Sequence, residues 1–118
     1  MLLVEDDRDV REVFREALRL EGLDVRTAPD GLTALWQIEQ NPPDVLILDL
    51  ELPRVTGLDI LRDLNSRPNA GAMPVVVVTG TDWSVTSPVF ATVRKPIAPD
   101  ALVDVVTRAL MQGGPSLV

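Results

Sequence analysis

Short dense apolar runs alternate along this chain with longer segments whose apolar residues recur at helical spacing. Leu2-Leu3-Val4 stops abruptly at Glu5-Asp6-Asp7. Val10, Val13, Phe14, Ala17 and Leu18 then fall at i, i+3, i+4, i+7 and i+8, which predicts a helix buried on one side. Asp7 suits its N-cap, and Gly22 suits a left-handed residue just past its end. Val25–Ala28 predicts a weak strand, and Asp30 caps a second helix carrying Ala34, Leu35 and Ile38, which Asn41-Pro42-Pro43 ends. Val45–Leu48 is continuous rather than alternating, as expected of a strand buried on both faces. Pro53 and Gly57 bracket a loop before a helix with Leu58, Leu61 and Leu64. Val75–Val78, wholly β-branched, predicts the fourth strand. Val89–Val93 predicts the fifth. A last helix begins near Pro99 with Leu102, Val105, Val106, Ala109 and Leu110, and Gly113-Gly114-Pro115 ends it.

Strands alternating with helices in this way imply an α/β fold, a five-stranded, doubly wound parallel sheet with both faces covered. In such folds ligands collect outside the carboxyl ends of the strands. The connection from the fourth strand to the fifth is unusual. Residues 80–88 are small, polar or β-branched, and after loop residues at each end they leave room for about one helical turn. The fourth crossover helix is therefore expected to be shortened or missing. Val76 and Val78 would then depend for cover on Trp83 or on another chain.

Composition removes several kinds of chemistry. With 118 residues, 46% of them hydrophobic, the chain fits one domain, taken as residues 1–112 with 113–118 as a tail or the start of a linker. It has no cysteine and no histidine, which excludes disulfides, thiolate nucleophiles, cysteine–zinc sites and the commonest general base. The net charge of −7 disfavours direct contact with nucleic acid. No apolar run approaches the roughly 20 residues of a membrane span. Met1-Leu2-Leu3-Val4 shows no basic leader, so a soluble, cytoplasmic protein is expected.

Four polar features follow apolar strands: Glu5-Asp6-Asp7 after the first, Asp49 after the third, Thr79 after the fourth and Lys95-Pro96 after the fifth. All would converge on one sheet edge. Crowded carboxylates with oxygen donors only suit a hard cation such as Mg²⁺, and a lysine and a hydroxyl beside them suit a phosphoryl group. Each feature also has a plainer reading. The acidic triplet could be a favourable first helical turn, and Asp49 a loop cap.

The blocks Leu3-Val4-Glu5-Asp6-Asp7, Leu46-Ile47-Leu48-Asp49-Leu50-Glu51-Leu52-Pro53 with Gly57, Val78-Thr79-Gly80, and Arg94-Lys95-Pro96-Ile97 resemble the four signature blocks of response-regulator receiver domains of the CheY-like superfamily. They do so in order and over nearly the whole chain. The resemblance implies a flavodoxin-like strand order of 2-1-3-4-5 and a phosphoryl group accepted by Asp49 from a histidine kinase or histidine phosphotransfer protein. It implies that Glu5 and Asp6 hold Mg²⁺, Asp6 directly and Glu5 partly through water, with the Glu51 carbonyl completing the protein ligands. Lys95 would pair with phosphoryl oxygens, Thr79 would swing its hydroxyl onto them, and the Lys95–Pro96 bond would be cis. Glu51 and Thr81 would flank the path of the water that later removes the phosphoryl group. A homodimer or an effector domain would be further partners, with no membrane contact.

One position departs from the family. Where an aromatic residue usually stands three before the lysine, this chain has Thr92, and Phe90 shares its strand parity without being taken as its replacement. Trp36 and Trp83 are expected to be partly buried. Arg11, Arg15 and Arg19 read as a solvated helix face paired with Glu12 and Glu16, with kinase docking as the alternative. Two other functions compete with the phosphorylated switch. They are a non-phosphorylated pseudo-receiver used for docking or dimerisation, and a small Mg²⁺-dependent phosphohydrolase. The complete set of key residues disfavours the first. The lack of a general base or substrate pocket disfavours the second, so no enzyme is expected beyond self-catalysed phosphorylation and dephosphorylation of the aspartate.

Overall fold

The computed structural model describes residues 1–67, 73–80 and 89–112. Its elements run β1 (Leu2–Val4), α1 (Arg8–Leu20), β2 (Arg26–Ala28), α2 (Gly31–Gln40), β3 (Leu46–Asp49), α3 (Gly57–Asn65), β4 (Val75–Thr79), β5 (Ala91–Arg94) and α4 (Pro99–Gln112). The strands form one five-stranded sheet in the order β2-β1-β3-β4-β5, every neighbouring pair parallel. This is the doubly wound order expected. Because all strands run the same way, their carboxyl ends share one edge.

The continuous apolar runs are divided residue by residue between two cores, as the pleat requires. Leu2, Val4, Leu46, Leu48, Val75 and Val77 face Ala34 and Ile38 of α2 and Ile60 and Leu61 of α3. Leu3, Ile47, Val76 and Val78 face Phe14 and Leu18 of α1 and Leu102 and Val106 of α4. The helix starts follow their side-chain caps. Asp7 accepts from the N–H groups of Asp9 and Val10, Asp30 accepts from that of Thr33, and Thr56 and Asp59 form a reciprocal capping box. Gly22 ends α1 at φ +80°, the left-handed conformation that glycine adopts without a Cβ clash.

Several expectations change. Val76 and Val78 are fully buried, but against α1 and α4. Val75 and Val77 of the same strand belong instead to the α2–α3 core. The crossover expected to be shortened, with Thr81 and Trp83, and the 113–118 tail lie outside the described residues. Val13 is 53% exposed rather than part of the buried stripe, because Phe14 and Leu18 alone take the centre of the α1 contact. Trp36 is 64% exposed, not partly buried, since it stands away from the Ala34–Ile38 stripe of α2. Three strands also begin later than expected, β2 at Arg26, β3 at Leu46 and β5 at Ala91. Phe90 thus lies outside β5, so strand parity does not govern it. It packs into the α1–α4 core with Val93, whereas Thr92 is exposed.

Candidate phosphoryl and metal site

Of the side chains singled out at the strand ends, those of Glu5, Asp49 and Lys95 meet, with Asp6 beside them. Glu5 follows β1 and still pairs its backbone N–H with the Ala28 carbonyl of β2, at 3.1 Å. Asp49 is the last residue of β3 and Thr79 the last of β4, each one residue further into its strand than the sequence placed it. Lys95 directly follows β5, and its N–H donates to the Thr79 carbonyl at 2.8 Å. The Lys95–Pro96 peptide is cis. Glu5, Asp49 and Thr79 are buried, each about 2% exposed, whereas Asp6 is exposed.

Lys95 joins the two buried carboxylates. Its Nζ donates to Glu5 Oε1 at 2.8 Å and to Asp49 Oδ2 at 3.0 Å. The other Asp49 oxygen, Oδ1, accepts from the Glu51 N–H at 2.8 Å, and Glu5 Oε2 accepts from the Asp7 N–H at 3.2 Å. Burial dominates the ionisation of Glu5 and pushes it up to about 7. Neighbouring Asp49 adds to the rise, while Lys95 and the Asp7 N–H oppose it. Burial also pulls Lys95 down, but its hydrogen bonds to Glu5 and Asp49 and their charges together hold it above the ordinary lysine value. The ammonium therefore stays charged at neutral pH.

One oxygen from each of Glu5, Asp6 and Asp49 lies within 4.8 Å of the others. Three carboxylates facing one ammonium leave excess negative charge, and the donors are all oxygen. That set fits Mg²⁺, which takes one or two carboxylates and keeps several waters.

Three supporting contacts were not read from the sequence. Arg11, taken there as part of a solvated face, reaches back from α1 to donate from Nη1 to the Glu5 carbonyl at 2.9 Å. The Asp6 carbonyl lies 3.5 Å from the same nitrogen. Of the helix pairs expected, Arg15 with Glu12 is present at 3.2 Å. The signal for Arg11 was its position one turn into the helix, within reach of the acidic loop. Gly57 brings α3 against the turn that follows Asp49, where a Cβ would stand 2.5 Å from the Asp49 carbonyl oxygen and 2.6 Å from Leu50 Cα. Finally, Glu51 turns its carboxylate to the β4 end, where Oε1 accepts from the Gly80 N–H at 2.8 Å. A cleft of about 600 Å³ opens beside the site, walled by Val10, Val13, Phe14, Ile97 and Pro99 and reaching Lys95 and Gly80.

Comparison with known proteins bears on the family and the fold. The family model described as response regulator receiver domain matches residues 1–107. The response regulator MprA of Mycobacterium sp. (strain KMS) is 42% identical over 82 residues, 70% of this chain and 35% of that protein. The MprA of Mycobacterium avium (strain 104) gives the same figures. The chain thus spans about a third of the length of these curated relatives. Among solved structures, the receiver domain of NtrX from Brucella abortus is 30% identical at a TM-score of 0.83, covering 93% of this chain and 97% of that one. The Francisella response regulator 1452 receiver domain is 25% identical at a TM-score of 0.86, covering 94% and 95%.

Proposed function

Since the chain belongs to the response regulator receiver domain family of two-component signalling, we propose that it is a phosphorylatable switch with Asp49 as acceptor. The observation that carries this reading is the Lys95 ammonium held between Glu5 and Asp49 at the common strand edge. An Asp49 carboxylate oxygen attacks the phosphorus of the donor. The bond from phosphorus to the donor breaks, and its electron pair leaves with the donor. Lys95 then exchanges part of its contact with Asp49 for the phosphoryl oxygens, and buried Thr79 at the end of β4 supplies a hydroxyl to the same group. Asp6, Asp49 and the Glu51 carbonyl would hold Mg²⁺, with Glu5 acting through water. The ion would neutralise charge on the transferring group.

The donor is a histidine kinase or histidine phosphotransfer protein, and the cleft beside Lys95 lies where such a donor would approach. The domain acts in the cytoplasm as a signalling switch rather than as an enzyme on external substrates, through an effector domain or a second copy. Residues 1–112 are taken as the receiver, and 113–118 as a tail or the start of a linker. Among the described residues, no helix is long and apolar enough to cross a membrane.

The test is incubation with Mg²⁺ and acetyl phosphate, followed by intact-mass measurement. One added phosphoryl group is expected on the wild type and none on Asp49→Asn. An unmodified wild type that still binds its partners would favour the pseudo-receiver reading. An unchanged mass shift in Asp49→Asn would move the acceptor elsewhere.

A further inference from the structure

Glu51 is an exposed carboxylate on the loop after β3, free by position to point into solvent. Instead it is committed at both ends. Its N–H donates to Asp49 Oδ1 at 2.8 Å, and its own Oε1 accepts from the Gly80 N–H at 2.8 Å. Gly80 directly follows Thr79 and lines the mouth of the cleft with Lys95. The approach also uses the absence of a side chain there, because a Cβ on Gly80 would stand 2.8 Å from Glu51 Oε1. One carboxylate thus ties the loop after the acceptor strand to the end of the neighbouring strand, and it does so through a backbone donor at the site.

We infer that the Glu51 carboxylate is a resident anion of this site, occupying the Gly80 N–H until a phosphoryl group on Asp49 displaces it, and that this latch slows phosphorylation. The inference rests on Asp49 being the phosphoacceptor. A backbone N–H at the mouth of an anion site is the kind of donor a phosphoryl oxygen takes. Here a negative side chain of the protein already holds it. A phosphoryl group brings about −1.5 to −2 charges onto a residue whose carboxylate is one hydrogen bond from the Glu51 backbone. Like charges so close repel, so the newcomer takes the donor and the Glu51 side chain swings out. Phosphorylation is then reported by release of Gly80 from the acceptor loop, and the rate of the reaction carries the cost of breaking that contact.

Two variants separate the contact from plain charge repulsion. Glu51→Ala removes acceptor and charge together, while Glu51→Gln keeps an amide oxygen as acceptor and removes only the charge. The first readout is the Gly80 amide by NMR in protein without metal or phosphodonor. Glu51→Ala should shift its resonance and speed its hydrogen exchange by about tenfold, the loss of one hydrogen bond to a charged acceptor. Glu51→Gln should lie nearer the wild type. The second readout is the rate of phosphorylation by acetyl phosphate with Mg²⁺, expected to rise several-fold in Glu51→Ala and less in Glu51→Gln. A Gly80 amide unmoved by Glu51→Ala would overturn the latch. So would equal acceleration in the two variants, which would leave charge alone as the cause. Failure of the wild type to take up a phosphoryl group would instead bring down the acceptor reading, and the metal-free amide measurement tells these two failures apart.

Discussion

Lys95 and Glu5, ninety positions apart in the chain, form a hydrogen-bonded ion pair of 2.8 Å in which the carboxylate is almost wholly buried and the lysine is not. The pair is asymmetric, because water still reaches the cation while the anion depends on it. Replacing Lys95 by Met should leave Glu5 and Asp49 facing each other without a counter-charge. We expect phosphorylation to fail and stability to fall by about 1–3 kcal/mol, less than for a fully buried pair because Glu5 can take up a proton. Urea unfolding at pH 7 checks the second effect. A variant as stable as the wild type would show that the pair contributes nothing net.

The raised ionisation of Glu5 makes metal-free stability depend on pH. Its folded value of about 7 lies above its ordinary 4.5, so the folded protein holds a proton that the unfolded chain has already lost between those values. The stabilisation is complete below about pH 4.5 and declines as pH rises through 7, by about 3 kcal/mol across the window. Glu5→Gln should flatten that slope in urea melts without divalent cation. An unchanged slope would assign the pH dependence to other groups.

Arg11 holds the carbonyl of Glu5, and through it the turn that presents Glu5 and Asp6. Arg11→Ala should leave α1 intact but weaken Mg²⁺ binding roughly tenfold, the usual effect of removing a group that orients ligands from outside the metal shell. Amide shifts of Asp6 and Asp49 during a Mg²⁺ titration report the affinity. Equal affinities in variant and wild type would make Arg11 a spectator.

Gly57 and Gly22 should respond to alanine for different reasons. At Gly57 the new Cβ meets backbone atoms of Asp49 and Leu50 at 2.5 and 2.6 Å, and neither can yield alone. A cost of about 1–3 kcal/mol is expected, together with slower phosphorylation, because the strained partner is the acceptor turn. At Gly22 nothing lies within 4 Å, and only the φ of +80° is unfavourable. About 1 kcal/mol should be lost there, with the phosphorylation rate unchanged. Thermal melts and acetyl phosphate kinetics on both variants test the contrast.

The strand ends were legible in the sequence because four of the five strands stop at or just before a polar residue of the candidate site, as Leu2-Leu3-Val4 does at Glu5. The order of the strands and the meeting of Glu5, Asp49 and Lys95 followed from the family blocks and the parallel architecture. What stayed hidden depended on direction in space. Arg11 looked like its solvated neighbours because helical spacing alone does not say which long side chain folds back over its own N-terminus. Phe90 was given the parity of Thr92, and parity fails once the strand begins at Ala91, two residues later than expected. Val76 and Val78 were expected to need Trp83 or another chain as cover, and α1 and α4 cover them. A continuous valine run shows that both faces are buried but not which residue belongs to which side.

The register of β3 with β4 sets Asp49 opposite Val78 and Leu48 opposite Val77. In a strand, one residue advances the chain by about 3.3 Å and reverses the side on which its side chain stands. A single-step slip would therefore carry Asp49 out of reach of Lys95 and exchange the contents of the two cores at once. Alignment of the acceptor and correct filling of the interior are in effect one measurement, made by the whole ladder. Substitutions at Leu48 or Val77 that loosen this alignment should reduce reactivity at Asp49 although neither residue belongs to the polar cluster, because the sheet is the ruler against which the acceptor is set.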